Sequence, residues 1–257
     1  MVERYCIHPV AVKALNEMLF QKFEGRVQTG PFRGMRIENQ FAWDDETNIC
    51  TKLIGSYEFE LHNIVNKIAA RKYDAIVNAG CAEGYYAVGL GRLMPYTPVF
   101  AMDKESGCLD VCAANAKVNG LMEMTLVAGK VGAEDLLRCD GDKKLMFVDI
   151  EGYELSVLDT ERCPELLDHD YVIECHDFFY CGEEGDEPTS IISDELARRF
   201  SKTHVVQKIE PDIPYLGDFP FLRTLSVGMG LLAVTEKRPL PTVWLACWRK
   251  TGVNLNG

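Results

Sequence analysis

The chain has 257 residues, of which 47% are apolar, and its formal net charge is −12 at pH 7. This length and apolar content suit one large α/β domain, or one such domain with a helical extension. The negative charge, with no basic cluster along the sequence, argues against a nucleic-acid partner and against an anionic membrane surface.

The cysteines and the apolar runs indicate the cellular setting. No run of about 18 apolar residues occurs, so we predict no transmembrane helix. The first residues lack the pattern of a signal peptide, and the ten cysteines include no C-x-x-C pair. We therefore expect reduced thiols and a cytoplasmic protein. Cys108 and Cys112 lie four residues apart, but without a second pair we assign no zinc site.

Residues 1–51 are predicted to form an N-terminal helical cap segment, and residues 52–257 the main domain. The apolar spacing from Val10 to Phe23 predicts a helix. The glycines and the proline between Gly25 and Glu38 predict a hairpin or an ordered loop. By analogy with other cofactor-dependent α/β enzymes, we expect this segment to cover a ligand site.

An amphipathic helix is predicted within Lys52–Lys72, after a turn at Ser56. Its apolar stripe consists of Leu61, Ile64, Val65 and Ile68. A stripe of this spacing packs one helix face against a core. We therefore place this helix against the sheet, ahead of its first strand.

The stretch from Asp74 to Asp103 has the layout of a nucleotide-binding βαβ unit. An apolar run ends at Gly80, a helical pattern follows Gly84, and a second apolar run ends in Asp103, where an acid for ribose hydroxyls is expected. The turn lacks the G-x-G-x-x-G spacing of a pyrophosphate site, which favours S-adenosylmethionine (SAM) over NAD. A βα turn without any ligand is the alternative.

Predicted helices and strands alternate through the rest of the chain. The helices are Ser106–Gly120, Tyr153–Leu167, which Pro164 breaks or restarts, and Thr189–Phe200, with a helix or loop over 132–139. The strands are Met124–Val131, Lys143–Gly152, Asp170–Asp177, Thr203–Pro211 and Thr242–Lys250, and Asp212–Gly230 is an irregular aromatic insertion. This alternation predicts a Rossmann-like α/β fold, with helices on both faces of a seven-stranded, mostly parallel sheet. A late strand inserted antiparallel is typical of the class I methyltransferase fold.

Acidic side chains and a histidine follow two of the later strands. Asp149 follows the buried run LMFV, and His176 and Asp177 end the fifth strand. Asp149 suits a general base, a metal ligand together with His176 or Asp177, or a group that orients a sulfonium cofactor. Glu151 and Glu154 suit either the site or the N-terminus of a helix.

Several motifs resemble those of the FkbM family of methyltransferases. Asp149–Glu154 with Val157 and Leu158 resembles the family's D-I-E-G-x-E-x-x-V-L, and Val77–Tyr86 resembles its cofactor motif V-D-V-G-A-N-x-G-Y-Y. Phe100–Asp103 matches the ribose acid, Gly55–Glu58 the element G-x-Y-E, and Glu174–His176 the element E-x-H. The resemblance extends over about Lys52–Asp177, and the segment VDIEGYE is its most specific part.

The resemblance implies a SAM-dependent methyltransferase that methylates a hydroxyl of a sugar or small natural product. By motif position it implies these cofactor-binding residues: Tyr57, Glu58, Asn78, Gly80, Ala82, Gly84, Asp103 and Asp149. Asp149 and His176 take the catalytic roles, and no metal ligand is assigned. Asn78 and Ala82 depart from the family, which has aspartate and asparagine there. Asn78 has no charge for a cationic amine, so cofactor affinity is expected to be lower unless Glu58 or Glu83 supplies that charge.

Two other functions stay open, a non-catalytic SAM-binding protein and an NAD-dependent oxidoreductase. The expected partner is a small-molecule or glycan acceptor, and a homo-oligomer is left open. The loops Phe178–Pro188 and Asp212–Gly230 are predicted to line the acceptor side. In the second loop, Tyr215, Phe219 and Phe221 are expected either to stack on a sugar or to pack within the loop itself.

Overall fold

The computed structural model describes residues 9–38, 49–177, 191–236 and 242–251. These residues form one seven-stranded sheet covered by helices. The strands are β1 (Ala75–Ala79), β2 (Val99–Asp103), β3 (Thr125–Ala128), β4 (Lys144–Val148), β5 (Asp170–Cys175), β6 (His204–Ile209) and β7 (Val243–Arg249). All seven predicted strands are therefore confirmed, each within a few residues of its predicted ends.

The helices alternate with the strands along most of the chain. They are α1 (Pro9–Phe23), α2 (Ile49–Ile54), α3 (His62–Ala69), α4 (Tyr85–Leu93), α5 (Ser106–Val118), α6 (Ala133–Arg138), α7 (Glu154–Val157), α8 (Ile191–Phe200) and α9 (Val227–Val234). All four residues of the predicted apolar stripe are buried, Leu61 directly before α3 and the other three within it. Among the described residues, no helix has the length and apolar content needed to cross a membrane.

The strand order is β3-β2-β1-β4-β5-β7-β6. Strands β1 to β5 pair in parallel, and β7 enters antiparallel between β5 and β6. The fold is therefore the predicted Rossmann-like α/β fold with a mostly parallel sheet. The chain runs outward from β1 to β3 and then returns to β4 on the other side of β1. Open α/β sheets bind their ligands at such a reversal, beyond the carboxyl ends of the strands.

Each face of the sheet has its own apolar core. Alternate strand residues point to opposite faces, so neighbours such as Ile76 and Val77 belong to different cores. One core contains residues of α1 to α5 and α9, and the other contains residues of α6, α7 and α8. Because both faces are buried, the central strands β1 and β4 are mostly apolar rather than alternating, with Asn78 the polar residue inside β1.

The N-terminal segment joins the first of these cores. Leu15, Leu19 and Phe23 of α1 are buried in it. The predicted hairpin or loop closes through a single antiparallel bridge between Arg26 and Arg36. The predicted division at residues 51 and 52 falls inside α2 and stays a prediction.

Two predictions about the later part of the chain need correction. The predicted helix Tyr153–Leu167 is α-helical only over α7, because Asp159 accepts hydrogen bonds from the backbone N–H groups of Glu161 and Arg162. The predicted break or restart at Pro164 is confirmed, since a separate 3-10 turn begins there. The insertion Asp212–Gly230 was predicted to be irregular, yet α9 begins inside it, where the Ser226 hydroxyl caps the helix.

The aromatic side chains of that insertion divide between packing and exposure. Phe219 is buried, and the Phe221 ring lies 5.4 Å from the Phe23 ring, edge to face. Tyr215 is 75% exposed. Two of the three rings therefore pack within the protein. The loop Phe178–Pro188 and the predicted caps Thr189 and Ser190 lie outside the described residues.

Candidate functional site

A cleft of about 200 Å³ lies at the carboxyl ends of β1 to β4, where the strand order reverses. Its floor is the glycine turn after β1. Its walls are the segments that follow β2, β3 and β4. The lining residues are Gly80, Ala82, Asp103, Lys104, Gly129, Lys130, Val131, Asp149, Ile150, Glu151, Tyr153, Ser156 and Val157.

Gly80 lets the turn after β1 pass directly against the end of β4. Its φ is +75°, and a Cβ built there would overlap the carbonyl oxygen of Asp149. The Asp149 N–H donates to the Ala79 carbonyl at 2.9 Å, so the two strand ends are joined at this point. Gly84, with φ of +84°, begins α4 against Cys112. A Cβ would overlap a backbone oxygen at Gly80 and the Cys112 side chain at Gly84, and both positions have the left-handed φ that glycine adopts most readily.

Asp103 holds the glycine turn from the end of β2. One carboxylate oxygen accepts the backbone N–H of Ala82 and the other accepts the backbone N–H of Glu105, each at 2.9 Å. Ala82 adopts a left-handed φ of +46° in this arrangement. Asp103 is buried yet lines the cleft, so its remaining lone pairs face a ligand there.

Asn78 lies in the middle of the sheet, behind the cleft. Its Nδ2 donates weakly to the Phe147 carbonyl at 3.4 Å. Its Oδ1 is buried and accepts no hydrogen bond from any described residue. A buried amide oxygen without a donor is costly, and it suits a donor that arrives with a ligand or a water molecule.

Tyr57 and Glu58 lie beside α4 rather than on the cleft wall. Glu58 is buried, accepts a hydrogen bond from the Tyr86 hydroxyl, and has a left-handed φ of +46°. Tyr57 stacks edge-on against Tyr85, with the Lys52 ammonium 4.4 Å from its ring centroid. Of the eight predicted cofactor residues, Gly80, Ala82, Asp103 and Asp149 line the cleft.

His176 gathers four carboxylates at the ends of β4 and β5, and we name this group the His176 cluster. Its Nδ1 lies 2.8 Å from Glu154 Oε1. Its Nε2 lies 3.4 Å from Glu151 Oε2, 3.6 Å from Asp149 Oδ1 and 3.8 Å from Glu174 Oε2. Asp149 and Glu151 also line the cleft, so the cluster and the cleft share a wall.

The crowding of carboxylates changes the ionisation of both predicted catalytic residues. Burial raises the pKa of Asp149 well above its usual range, and the negative charge of Glu174 raises it further. Burial lowers the pKa of His176, but the hydrogen bond with Glu154 and the charges of Glu174 and Glu151 outweigh that effect. The net result is a raised pKa for His176, so the imidazole holds a proton more tightly than a free histidine does.

Sequence reasoning brought Asp177 forward as a partner of Asp149, and the structure places it elsewhere. Both of its carboxylate oxygens accept hydrogen bonds from Ser193 on α8, at 2.9 and 2.7 Å. Lys104, Gly129, Lys130 and Ser156 line the cleft without having been predicted. The strand-end rule was the available signal for Gly129 and Lys130, which follow β3 directly.

Comparisons with known proteins add little beyond this geometry. No protein-family model matches the chain, and no curated protein matches it. The FkbM resemblance therefore rests on the motifs alone.

Three solved structures of methyltransferases share part of the chain path. A precorrin-6y C5,15-methyltransferase from Geobacter metallireducens is 12% identical, with 74% of this chain and 89% of that chain covered, at a TM-score of 0.48. The O-methyltransferase TomG from Streptomyces achromogenes, in complex with SAM, is 11% identical, with 93% of this chain and 90% of that chain covered, at a TM-score of 0.49. A SAM-dependent O-methyltransferase from Thermotoga maritima is 16% identical, with 75% of this chain and 67% of that chain covered, at a TM-score of 0.44. Likeness this distant assigns no activity, and the fold rests on the strand order.

Proposed function

We propose that the protein is a SAM-dependent methyltransferase that methylates a hydroxyl of a sugar or another small natural product. The observation that carries the proposal is the cleft at the strand reversal, with Asp103 and Asp149 on opposite sides of the Gly80 turn. The motif resemblance is to enzymes that use this cofactor on hydroxyl acceptors. The topology is typical of the same class of enzyme.

The residues of the cleft fit the chemical groups of SAM. Asp103 offers carboxylate lone pairs to the ribose hydroxyls. Val131, Ile150 and Val157 offer apolar surface to the adenine ring. The carboxylates of the His176 cluster offer negative charge to a sulfonium and an ammonium group, which supplies the charge that Asn78 lacks.

In this reaction the protein mainly positions the cofactor and the acceptor and removes the proton of the acceptor hydroxyl. The cofactor supplies a methyl group that is already activated by the sulfonium. Asp149 lies on the cleft wall, where its carboxylate is placed to take the acceptor's hydroxyl proton, and burial raises its pKa, which makes it a stronger base than a free carboxylate. His176 lies beside Asp149, where it orients that carboxylate or takes the proton itself.

Calorimetric titration with SAM, S-adenosylhomocysteine and NAD tests the cofactor. We expect the first two to bind and NAD not to bind. Asp103→Ala should abolish binding, but it also frees the Ala82 and Glu105 N–H groups, so its thermal unfolding must be measured as well. Ser156→Trp is a second variant, because Ser156 is an exposed residue of the cleft wall and a large ring there fills the cleft without opening the core.

Glu134→Gln, an exposed change on α6 away from the cleft lining, is the matched control and should bind like the parent. Binding of NAD alone, or binding of SAM that Ser156→Trp leaves intact, would contradict the proposal. Binding of both SAM and its product without transfer to any of a broad panel of hydroxyl acceptors would instead indicate a non-catalytic binding protein.

A further inference from the structure

The two ring nitrogens of His176 face different surroundings. Nδ1 lies 2.8 Å from Oε1 of Glu154, a fully buried residue whose Oε1 also accepts the Gly152 N–H at 3.1 Å. An ionised carboxylate only accepts hydrogen bonds, so Nδ1 is the donor in this contact. A neutral imidazole held in this way presents the lone pair of Nε2 to the other carboxylates. Histidines that bind metal ions are commonly oriented by this kind of buried carboxylate contact.

Nε2 lies close to three carboxylate oxygens. Asp149 Oδ1 and Glu151 Oε2 are 3.6 and 3.4 Å away, and each of the three residues has a ligand atom that lies within 4.8 Å of the other two. Metal–ligand bonds to imidazole nitrogen and carboxylate oxygen are about 2.1 Å long, and two such bonds joining atoms 3.4 to 3.6 Å apart enclose an angle of about 110° to 120°. One ion at these distances therefore has a nearly tetrahedral angle between His176 and each carboxylate, and rotation of the exposed Glu151 side chain sets the angle between the two carboxylates.

Charge and hydrogen bonding point to a cation at the same place. The His176 cluster brings four carboxyl groups to one imidazole. Asp149 Oδ1 and Glu154 Oε2 are buried and accept no hydrogen bond from the described residues. Within the described ranges, neither Asp149 nor Glu151 forms an ion pair with a lysine or an arginine. Buried carboxylates in this state are stabilised when a metal ion or another cation joins them.

We propose that Asp149, Glu151 and His176 bind one divalent transition-metal ion, of the Zn²⁺ or Mn²⁺ type, with further positions open to a ligand. A mixed imidazole and carboxylate set favours these ions over Mg²⁺ and Ca²⁺, which prefer oxygen ligands alone. Glu154 orients His176 from behind. Ion binding itself does not depend on the proposed methyl transfer.

The role of the ion does rest on the proposed function. Two of its ligands line the cleft, so its open positions face the place where an acceptor meets the cofactor. A hydroxyl that binds a divalent ion loses its proton more readily, which is the step otherwise given to Asp149 or His176 acting as a base. An acceptor with two neighbouring oxygens, such as a vicinal diol, would occupy two open positions at once.

The test uses the tag-free, full-length protein after treatment with a chelator, without any cofactor. Mn²⁺ is titrated by the loss of the free-ion signal in electron paramagnetic resonance, and Zn²⁺ by calorimetry. We expect one ion per chain. Co²⁺ in its place should give the intense visible absorption of a four- or five-coordinate ion, which a loosely associated, fully hydrated ion does not give.

Glu151→Gln is the decisive variant, because the side chain is 58% exposed and its change leaves the core intact. We expect it to weaken ion binding at least about tenfold, and His176→Gln to weaken it further. Glu134→Gln removes the same charge from an exposed position on α6 and should bind the ion like the parent. Absence of a bound ion below millimolar concentration, or equal binding by Glu151→Gln and Glu134→Gln, would overturn the proposal.

The proposed ion site and the proposed methyltransferase function can be contradicted independently of each other. A protein that binds one ion through Glu151 but does not bind SAM keeps the metal site and loses the proposed function. A protein that binds SAM but no ion keeps the proposed function, and Asp149 or His176 then acts as the base.

Discussion

Gly80→Ala separates two reasons for glycine in the turn after β1, namely conformation and space. Gly80 and Gly120 have almost the same left-handed φ, +75° and +78°. A Cβ at Gly80 would overlap the Asp149 carbonyl oxygen, whereas a Cβ at Gly120, after the end of α5, has no neighbour within 4 Å. Gly120→Ala therefore measures the conformational cost alone, and Gly80→Ala measures that cost together with the overlap.

The expected magnitudes follow from these surroundings. A non-glycine residue in the left-handed region costs about 1–2 kcal/mol, which is the whole effect that we expect for Gly120→Ala. Overpacking adds about 1–3 kcal/mol. The atom in the way at Gly80 is a backbone oxygen, and the 2.9 Å hydrogen bond from Asp149 to Ala79 must also open for it to move. We therefore expect Gly80→Ala to lower the free energy of unfolding by about 3–5 kcal/mol.

Urea unfolding followed by tryptophan fluorescence measures both values, since Trp244 and Trp248 of β7 are buried. Movement of Asp149 also disturbs the cleft, so Gly80→Ala should weaken ligand binding and Gly120→Ala should not. Equal destabilisation by the two variants, within about 0.5 kcal/mol, would refute the reasoning that close contact between β1 and β4 requires glycine at position 80.

Three further predictions concern buried polar groups away from the turn. Burial lowers the pKa of His169 in the folded protein to about 4, so the unfolded chain binds the proton first as pH falls. The stability that this histidine contributes above about pH 6.5 is therefore lost progressively down to about pH 4. Between pH 7 and pH 5, urea unfolding should show a loss of about 2 kcal/mol in the free energy of unfolding, and His169→Gln should reduce that loss. Lys52 and Glu83 form a buried ion pair, so Lys52→Met leaves a buried charge without its partner and should lower the free energy of unfolding by about 3 kcal/mol in the same assay. Adding Glu83→Gln removes that charge and should restore part of the lost stability. A double variant whose loss equals the sum of the two single losses would contradict the pairing. Tyr171→Phe should cost about 1–2 kcal/mol, because the hydroxyl donates to the Leu166 carbonyl at 2.6 Å in a fully buried position; a neutral result in thermal unfolding would contradict this.

The sheet could be predicted because its signals are local. Each central strand is a short apolar run that ends in glycine or an acid, and the intervening helices have regular apolar spacing. The failures occur where a local hydrogen bond competes with periodicity. Asp159 takes the backbone N–H groups that a continuing helix would need, and the Ser226 cap starts α9 in a glycine-containing stretch of poor helix propensity.

The candidate site was predictable only in its parts. Asp103 and Asp149 end strands, and strand ends meet at one edge of a parallel sheet, so their neighbourhood follows from the topology. The contact between Glu154 and His176 joins the start of α7 to the residue after β5, 22 positions along the chain, and Glu151 in the turn before α7 has a φ of +54°. No periodicity or spacing encodes that turn. Asp177 and His176 are neighbouring polar residues after β5, so the sequence does not distinguish their roles. The structure directs Asp177 to Ser193, because successive side chains alternate in direction where the strand ends.

The left-handed residues around the site affect how the molecule opens. Glu58, Ala82 and Glu151 adopt a conformation that only glycine adopts freely, and their loops hold them there through contacts elsewhere. When such a loop opens briefly, about 1–2 kcal/mol of backbone strain is relieved at each of these residues. The equilibrium constant for opening is then about 5- to 30-fold larger than it would be for a loop without that strain. Amide hydrogens in these loops should therefore exchange with solvent sooner than those of the sheet beneath them. A ligand bound in the cleft, which Ala82 and Glu151 line, should slow exchange in their two loops.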